Sequence, residues 1–529
     1  MDHNTMNSSK ASAFDASSAN NEPGSSQQPP DDASPSHHHK NQIHEVSFTP
    51  NDPSNPRNWP SWKKWSLFLV LIPLDLSVSF GASGYSPAAF LLAKEFHVSA
   101  EVATLGLSLY VIGLALGPML SAPLSEYFGR NPVYIGSYGI YLLLLMGTAL
   151  VQSIGGFLPL RFFSGLFSSV TVANYGGTVA DLWHHNDTGY AMSFFLWAAT
   201  AGSPIGYFLM SFVAQTKGWR AVFWALMGIS GGFWLMMTAT LLWVGETRHG
   251  VILLNRARKA RRETGNENIE IPEEYRRRGI KQLFQAALSR PFRFLFTESI
   301  IMFGALYNGY LYGLSFLFNG AFSLVFGAKG HGFDTIGVGL CFLGIAAGIT
   351  FGPVTNLWQE RYFQKRVAQN GGHADPEARV QLAKVAAIVF PISLFWFAWT
   401  TYTSIHFIVP VMASAFWGWS FYTLILMTYT YTEDSYRTYA ASALAGLGFI
   451  RNLAGGGFPL FGAQLFENLG YQQAGSLLAA FACALVPIPF ILEKYGKRLR
   501  LRSPWAREHM DDVSDEEEDP LVEPRPLVA

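Results

Sequence analysis

Three ionisable residues lie inside apolar runs, where a charge is costly and so is a functional candidate. Asp75 stands midway along the first run, in LIPLDLSVSFGASG. A carboxylate there suits uptake and release of a proton, or acceptance of a hydrogen bond from a Ser or Asn on a neighbouring helix. Arg451, in GFIRNLAGG, is deep in another run with Asn452 beside it. Its guanidinium can pair with an anionic substrate or with a carboxylate on another helix. Arg161, in LPLRFFSG, is about two turns into its run, within reach of an interface to which its side chain can snorkel. Asn308 joins these as a candidate polar ligand, and Asn174, Asn319 and Tyr310 add polar groups to otherwise apolar segments.

A second set is charged turns between runs. LGPMLSAPLSEYFGRNPVYIGSYG, residues 116–139, places Glu126, Gly129 and Arg130 in a tight reversal, where the two charges pair with each other or with nearby helix ends. FGPVTNLWQERYFQKR, residues 351–366, repeats the theme with Glu360 and Arg361. Matching turns in two halves suggest an internal repeat whose charged pairs hold one conformation closed and release it in another. Glu433, Asp434 and Glu298 read as interfacial charges of the same kind.

The elements that position these residues follow from composition. The 529-residue chain is 50% hydrophobic and 15% aromatic but only 14% charged, against roughly 25% in soluble domains. Its formal net charge is zero, which excludes a nucleic-acid field. The two cysteines, Cys341 and Cys483, sit in apolar runs and read as buried, inert thiols. Runs of about 20 apolar residues, enough to cross a bilayer, recur near 65–89, 101–123, 132–152, 156–180, 190–213 and 220–244. A second series lies near 294–320, 334–357, 383–402, 405–430, 438–463 and 474–493. The expected fold is therefore an all-α integral membrane protein of about twelve transmembrane helices in two six-helix halves, 58–245 and 294–495.

Between the halves, 246–293 reads as a basic cytosolic loop carrying RARKARR and YRRRG. Lys and Arg on this side, and their absence from VQSIGG and TYTSIH on the other, place both termini in the cytosol. Residues 1–57, including HHHK at 37–40, read as a disordered tail, and 496–529, with DDVSDEEED, as a second cytosolic tail.

The 116–139 turn resembles the loop signature of the major facilitator superfamily, with Gly129 and Arg130 matching directly and Glu126 near the usual acid. Over about residues 56–500 the chain is similar to fungal twelve-span drug:proton antiporters. The matching stretches are NPRNWPSWKKW, RFFSGLFSSVTVANYGGTVADLW, GETRHGVILLNRARKARRETG and DSYRTYAASALAGLGFIRNLAGGGFPLF. The resemblance implies a major facilitator fold, a conformational latch at Glu126, Gly129, Arg130, Glu360 and Arg361, and proton coupling through Arg161, whose Arg-x-x-x-Gly pattern ends on Gly165. It lends Asp75 no support, since the group does not generally carry that acid. The group's span-5 antiport signature is eroded to AATAGSPIGYF, keeping Gly202, Pro204 and Gly206, which suit close packing and a bend at the interface between halves.

The function implied is export of small organic molecules across the plasma membrane by alternating access, in exchange for protons. The substrate is either a xenobiotic, as for a multidrug pump, or a dedicated fungal metabolite, for instance a dicarboxylate such as itaconate. The expected partners are the substrate, protons and lipid, with the chain acting as a monomer and no cofactor or metal beyond the proton gradient. Nucleophile elbow, phosphate loop, zinc motif and channel filter signatures are missing from the sequence, which points away from an enzyme, an ATPase and a channel.

Overall fold

The computed structural model describes residues 44–49, 51–183, 188–266, 268–275, 279–328, 330–369 and 375–507. Among them the chain is almost entirely helical. The first set of long helices comprises α1 (Ser61–Ser83), with the short α2 (Ala89–Phe96) behind it, α3 (Ala100–Phe128) and α4 (Arg130–Leu150). It continues with the pair α5 (Ile154–Ser168) and α6 (Val170–Leu182), α7 (Gly189–Lys217) and α8 (Trp219–Val244). The second set is α11 (Ser299–Phe326), α12 (Thr335–Gln369), α13 (Gln381–Trp399), α14 (Ile408–Tyr436), α15 (Ala440–Leu469) and the pair α16 (Tyr471–Leu485) and α17 (Pro487–Arg502).

Eleven of the described helical stretches are long and apolar enough to cross a membrane. The twelfth of the expected series, α15, has the length, 30 residues. Its composition is diluted by Arg451, Asn452 and the run Gly455-Gly456-Gly457. At about 1.5 Å per residue it still matches its neighbours in reach. The surface fits the same reading: Leu242 and Phe296 are 75% and 85% exposed, and many other large apolar side chains point outward. Lipid tails solvate such a surface, so packing inside depends on close fit and polar contacts rather than on hiding oil from water.

Helix partners recur between the sets. In the first, α1 packs on α7, α3 on α5, and α4 on both α5 and α8. The second repeats this order: α11 on α15, α12 on α14, and α13 on both α14 and α16. Two seams join the sets, α7 against α12 and α3 against α15.

Several expectations need correction. The stretch 246–293 is not a plain loop: it holds α9 (His249–Thr264) and most of α10 (Ile280–Thr297), so the first long helix of the second set starts at Ser299 rather than 294. Val251, Leu253 and Ala257 of α9 are buried, and Leu253 and Ala257 join a small core with Ile269 and Ile271 and with Val46 and Phe48 of the N-terminal arm. That core explains why part of the expected tail is ordered. His44–Glu45 pairs in parallel with Ile269–Glu270, and Asp52 accepts two hydrogen bonds from Arg256, at 2.7 and 3.0 Å. The second tail is helical as far as Arg507, with Arg500 paired to Glu377 at 2.7 Å. Residues 1–43, with HHHK, the 276–278 arginines, and 508–529 lie outside the described residues. Cys341 is buried as expected, but Cys483 is exposed on the flank of α16.

Candidate functional site

At the end of the bundle where α3 meets α4, Gly129 adopts φ +103°, a conformation that favours glycine, and so allows one residue to separate two long helices. The first amides of α4 then need an acceptor. Glu246, from the far end of α8, supplies it: its carboxylate accepts from the backbone of Arg130 and Asn131 at 2.9 and 3.2 Å. It also accepts from Thr247 and Arg248, at the start of α9, at 3.0 Å each.

The buried Arg130 side chain reaches Asp181 at 3.1 Å and Ser125 Oγ at 2.7 Å. Glu126 is half-buried and within electrostatic range, but the short contact of Arg130 is with Asp181. Of the two expectations, pairing with Glu126 or with a nearby helix end, the fold gives the second, because it brings the end of α6 against the start of α4. Arg248 and His249 add to Asp181 from the other side, at 3.5 and 3.8 Å.

The second set holds a matching cluster. Glu360, at the α12 end, pairs with Arg379 at 2.5 Å, and Arg379 pairs with Asp434 of α14 at 2.8 Å. All three are buried. Arg361, the expected partner, is exposed instead, because its place on α12 turns it away from the bundle. Arg379 lies two residues before α13 as Arg130 opens α4, and Asp434 stands in the last turn of α14 as Asp181 does in that of α6. Gly189, the first residue of α7, abuts the Glu360 carboxylate, which brings a helix N-terminus onto an anion across the seam. Glu298 accepts from Tyr436 Oη at 3.0 Å nearby.

Polar contacts bridge the sets at both ends. At the latch end, the Ser193 and Tyr422 hydroxyls lie 2.6 Å apart. At the opposite end, Gln215 donates to Asp334 at 2.9 Å and accepts from the Ile336 amide at 2.9 Å. Gln464 donates to Glu101 there at 3.2 Å.

Midway lies a polar centre. Asp75 is 1% exposed; its Oδ1 accepts from Thr171 Oγ1 at 2.8 Å and its Oδ2 has no partner. Arg451 is 2% exposed and sits over the rings of Tyr312 and Tyr429, at 4.6 and 5.4 Å. One guanidinium nitrogen donates to Asn452 at 3.4 Å, while Nε and Nη1 are unpartnered. Asp75 and Arg451 are close enough for their charges to interact. Asn174, on the Thr171 face of α6, is buried with both amide atoms unpartnered. Asn452 donates across the seam to Leu114 O at 3.4 Å.

Two expected members lie elsewhere. Arg161 is held by the carbonyls of Gly106 and Gly81, at 2.9 and 3.0 Å, and lies over the Tyr110 ring at 4.5 Å; it ties α5 to α1 and α3. Asn308 exchanges hydrogen bonds with Thr428, at 2.8 and 3.1 Å, joining α11 to α14. Gly202 and Gly206, on either side of Pro204, face α1 rather than the seam: a side chain at Gly202 would strike Ser79 and Leu76 O, and one at Gly206 the Phe80 backbone. Sequence reading missed Asp181, Glu246, Arg379, Thr171, Tyr312 and Tyr429. Asp181 and Glu246 did lie within stretches that carried the family resemblance, whereas Arg379, in PEARVQ, carries no local signal.

Comparisons with known proteins agree with this arrangement. Residues 72–459 match the family model of the Major Facilitator Superfamily. The Major facilitator superfamily multidrug transporter mdrA of Aspergillus fumigatus is 36% identical over 464 residues, 88% of this chain and 76% of that protein. The MFS-type efflux pump MFS2 of Trichophyton rubrum is 37% identical over 466 residues, 88% of this chain and 77% of that one. Among solved structures, the MFS proton:xylose symporter XylE superposes with a TM-score of 0.59 at 15% identity, covering 83% of this chain and 96% of that chain, a likeness of fold.

Proposed function

The chain belongs to the major facilitator superfamily, and on that premise we propose that it is a proton-coupled exporter of small organic molecules working by alternating access. The relatives named as a multidrug transporter and an efflux pump support export. The observation that carries the mechanism is the seam: polar contacts bridge it at both ends around a buried charged centre. A transporter needs two such gates that open in turn. Asp75 is the group that takes and gives the proton, and Arg451, Asn452 and Tyr312 line the substrate's path. The Arg130–Asp181 and Glu360–Arg379–Asp434 clusters hold the latch end. Protons are the coupling ion, with no further cofactor and no catalytic step. The chain works as a monomer in the plasma membrane, with the latch end and both termini in the cytosol; the basic residues clustered at that end support this orientation.

The test is to tie each gate in turn. After replacing Cys341 and Cys483, cysteine pairs at 193 and 422, and at 215 and 334, are bridged by a short bifunctional thiol reagent. Each bridge should stop efflux from cells, and cleaving a reducible bridge should restore it. Full efflux with both gates bridged would overturn the reading.

A further inference from the structure

We propose that the central site takes an organic anion and that a proton moves with it, on Asp75, in the same direction. This rests on the export reading above and adds the substrate class and the sign of coupling.

The argument is a count of charges at the buried centre. Arg451 is permanently cationic. Two of its nitrogens, Nε and Nη1, make no hydrogen bond in the fold, and a buried donor left so costs free energy that a ligand oxygen recovers. The rings of Tyr312 and Tyr429 flank the guanidinium at 4.6 and 5.4 Å, and the Tyr429 hydroxyl is near enough to interact with it. They also offer apolar surface to the rest of a ligand. Across from it, Asp75 Oδ2 and both amide atoms of Asn174 are unpartnered too. Asp75 and Arg451 feel each other's field without a direct hydrogen bond between them, and Asp75 Oδ2 has no partner. Nε and Nη1 point to different sides of the guanidinium, so a carboxylate or sulfonate accepts a charge-assisted hydrogen bond from one of them, a contact stronger than a neutral one.

The groups facing Asp75 are few. Thr171 and Tyr175 come from α6, Tyr134 and Tyr138 from α4, Tyr312 from α11 and Arg451 from α15. Tyr110 of α3 and Arg161 of α5 lie farther along α1, against Val78 and Gly81. The charged residues of α7 and α8 are Lys217 and Arg220, both at the opposite end from the latches. Arg451 is thus the cation that balances an ionised Asp75. With the site empty, Asp75 as carboxylate and Arg451 as cation sum to zero. With an anion on Arg451, the sum returns to zero only when Asp75 carries a proton. Low-dielectric surroundings enforce such balance. Anion and proton therefore bind together, cross together and leave together, and the empty carrier returns as the Asp75–Arg451 pair; export then runs down the anion's own gradient, not on inward proton flow. The resemblance to exchangers implies the opposite sign.

The experiment uses purified full-length chain in proteoliposomes and measures exchange of four labelled probes. 2-Naphthalenesulfonate stays ionised at all working pH values, so any pH-dependence belongs to the protein. Succinate, tetraphenylphosphonium and fluconazole supply a dianion, a cation and a neutral azole. The expected result is exchange of the anions in preference to the cation and the azole. Half-saturation for the sulfonate should fall as pH falls from 8 to 5, by at most tenfold per unit. Asp75→Asn should flatten that profile, and Arg451→Gln should weaken anion exchange at least tenfold while Arg451→Lys recovers part. Should Arg451→Gln fail to fold, the wild-type probe preference and pH profile decide alone. Exchange of the cation or the azole with the anions excluded, or tighter sulfonate binding at high pH, would overturn the anion inference and leave the export reading standing. Exchange of no probe, together with unchanged retention of all four by cells lacking the chain, would overturn both.

Discussion

Arg379 sits between two carboxylates, and that position sets what its loss would do. Its guanidinium pairs with Glu360 and Asp434 and stacks on the Phe363 ring at 3.4 Å. Removing it leaves two buried acids facing each other, with Glu433 adding to the repulsion. Breaking a buried pair on one side costs about 3–5 kcal/mol. Arg379→Ala should therefore lower the unfolding temperature of the purified protein clearly, whereas Arg361→Ala should stay within about 0.5 kcal/mol of wild type, as exposed substitutions do. Equal effects would remove Arg379 from the latch. Glu360 was legible in the sequence because it echoed the Glu126 turn. Arg379 was not, because it stands 19 residues away, while Arg130 follows Glu126 by one turn of chain.

Among the elements, the contact of α1 with α7 depends on small residues. Ser79 Oγ donates to Ala199 O at 3.1 Å and Ser83 Oγ to Ser203 O at 2.6 Å, distances that require the backbones to be close. A Cβ at Gly202 would lie 2.9 Å from Leu76 O, a backbone atom that cannot move freely. Gly202→Val should thus destabilise the protein and lower export, since α1 carries Asp75. Gly136→Ala, at a helical glycine with open space around it, should be neutral or stabilising by up to about 1 kcal/mol. Thermal unfolding of the two variants side by side checks the pair. The eroded motif in α7 thus keeps its small residues for packing against its own half. A different helix shows the converse: α15 is the one long helix of the twelve whose composition departs most from a plain span, and it carries Arg451.

On the scale of the whole molecule, the N-terminal arm, α9 and the Arg130 cluster form one connected network. Asn55 meets His249 Nε2 at 3.2 Å, and His249 Nδ1 lies 3.8 Å from Asp181. Asp52 anchors the arm through Arg256, whose hydrogen bonds hold the Asp52 carboxyl down at about 2. A lowered carboxyl stabilises docking fully above its unfolded value near 4, and the contribution is lost as pH falls from there through about 2. The arm should accordingly stay docked at neutral pH and loosen only in strong acid. Asp52→Asn should loosen it at pH 7, read as faster hydrogen exchange over residues 51–58 after correction for intrinsic rates. Unchanged protection in the variant would show that the apolar core around Phe48 and Leu253 suffices.

The sequence by itself determined the class of molecule. Long apolar runs, sparse charge and Lys/Arg-rich connections follow from the energetics of lipid and water, which act on each segment locally, so helix number and membrane character could be read one run at a time. It also flagged Asp75 and Arg451, because a charge in an oily run stands out without any partner. What the tertiary structure alone decided is pairing. Asp181 rather than Glu126 faces Arg130, Arg379 rather than Arg361 faces Glu360, and Arg161 is tied to carbonyls through Nε and Nη2 whereas Arg451 has no carbonyl partner for Nε or Nη1. These outcomes depend on which helices lie side by side and how each is turned about its axis. Packing over the whole bundle sets both, and no local spacing encodes them.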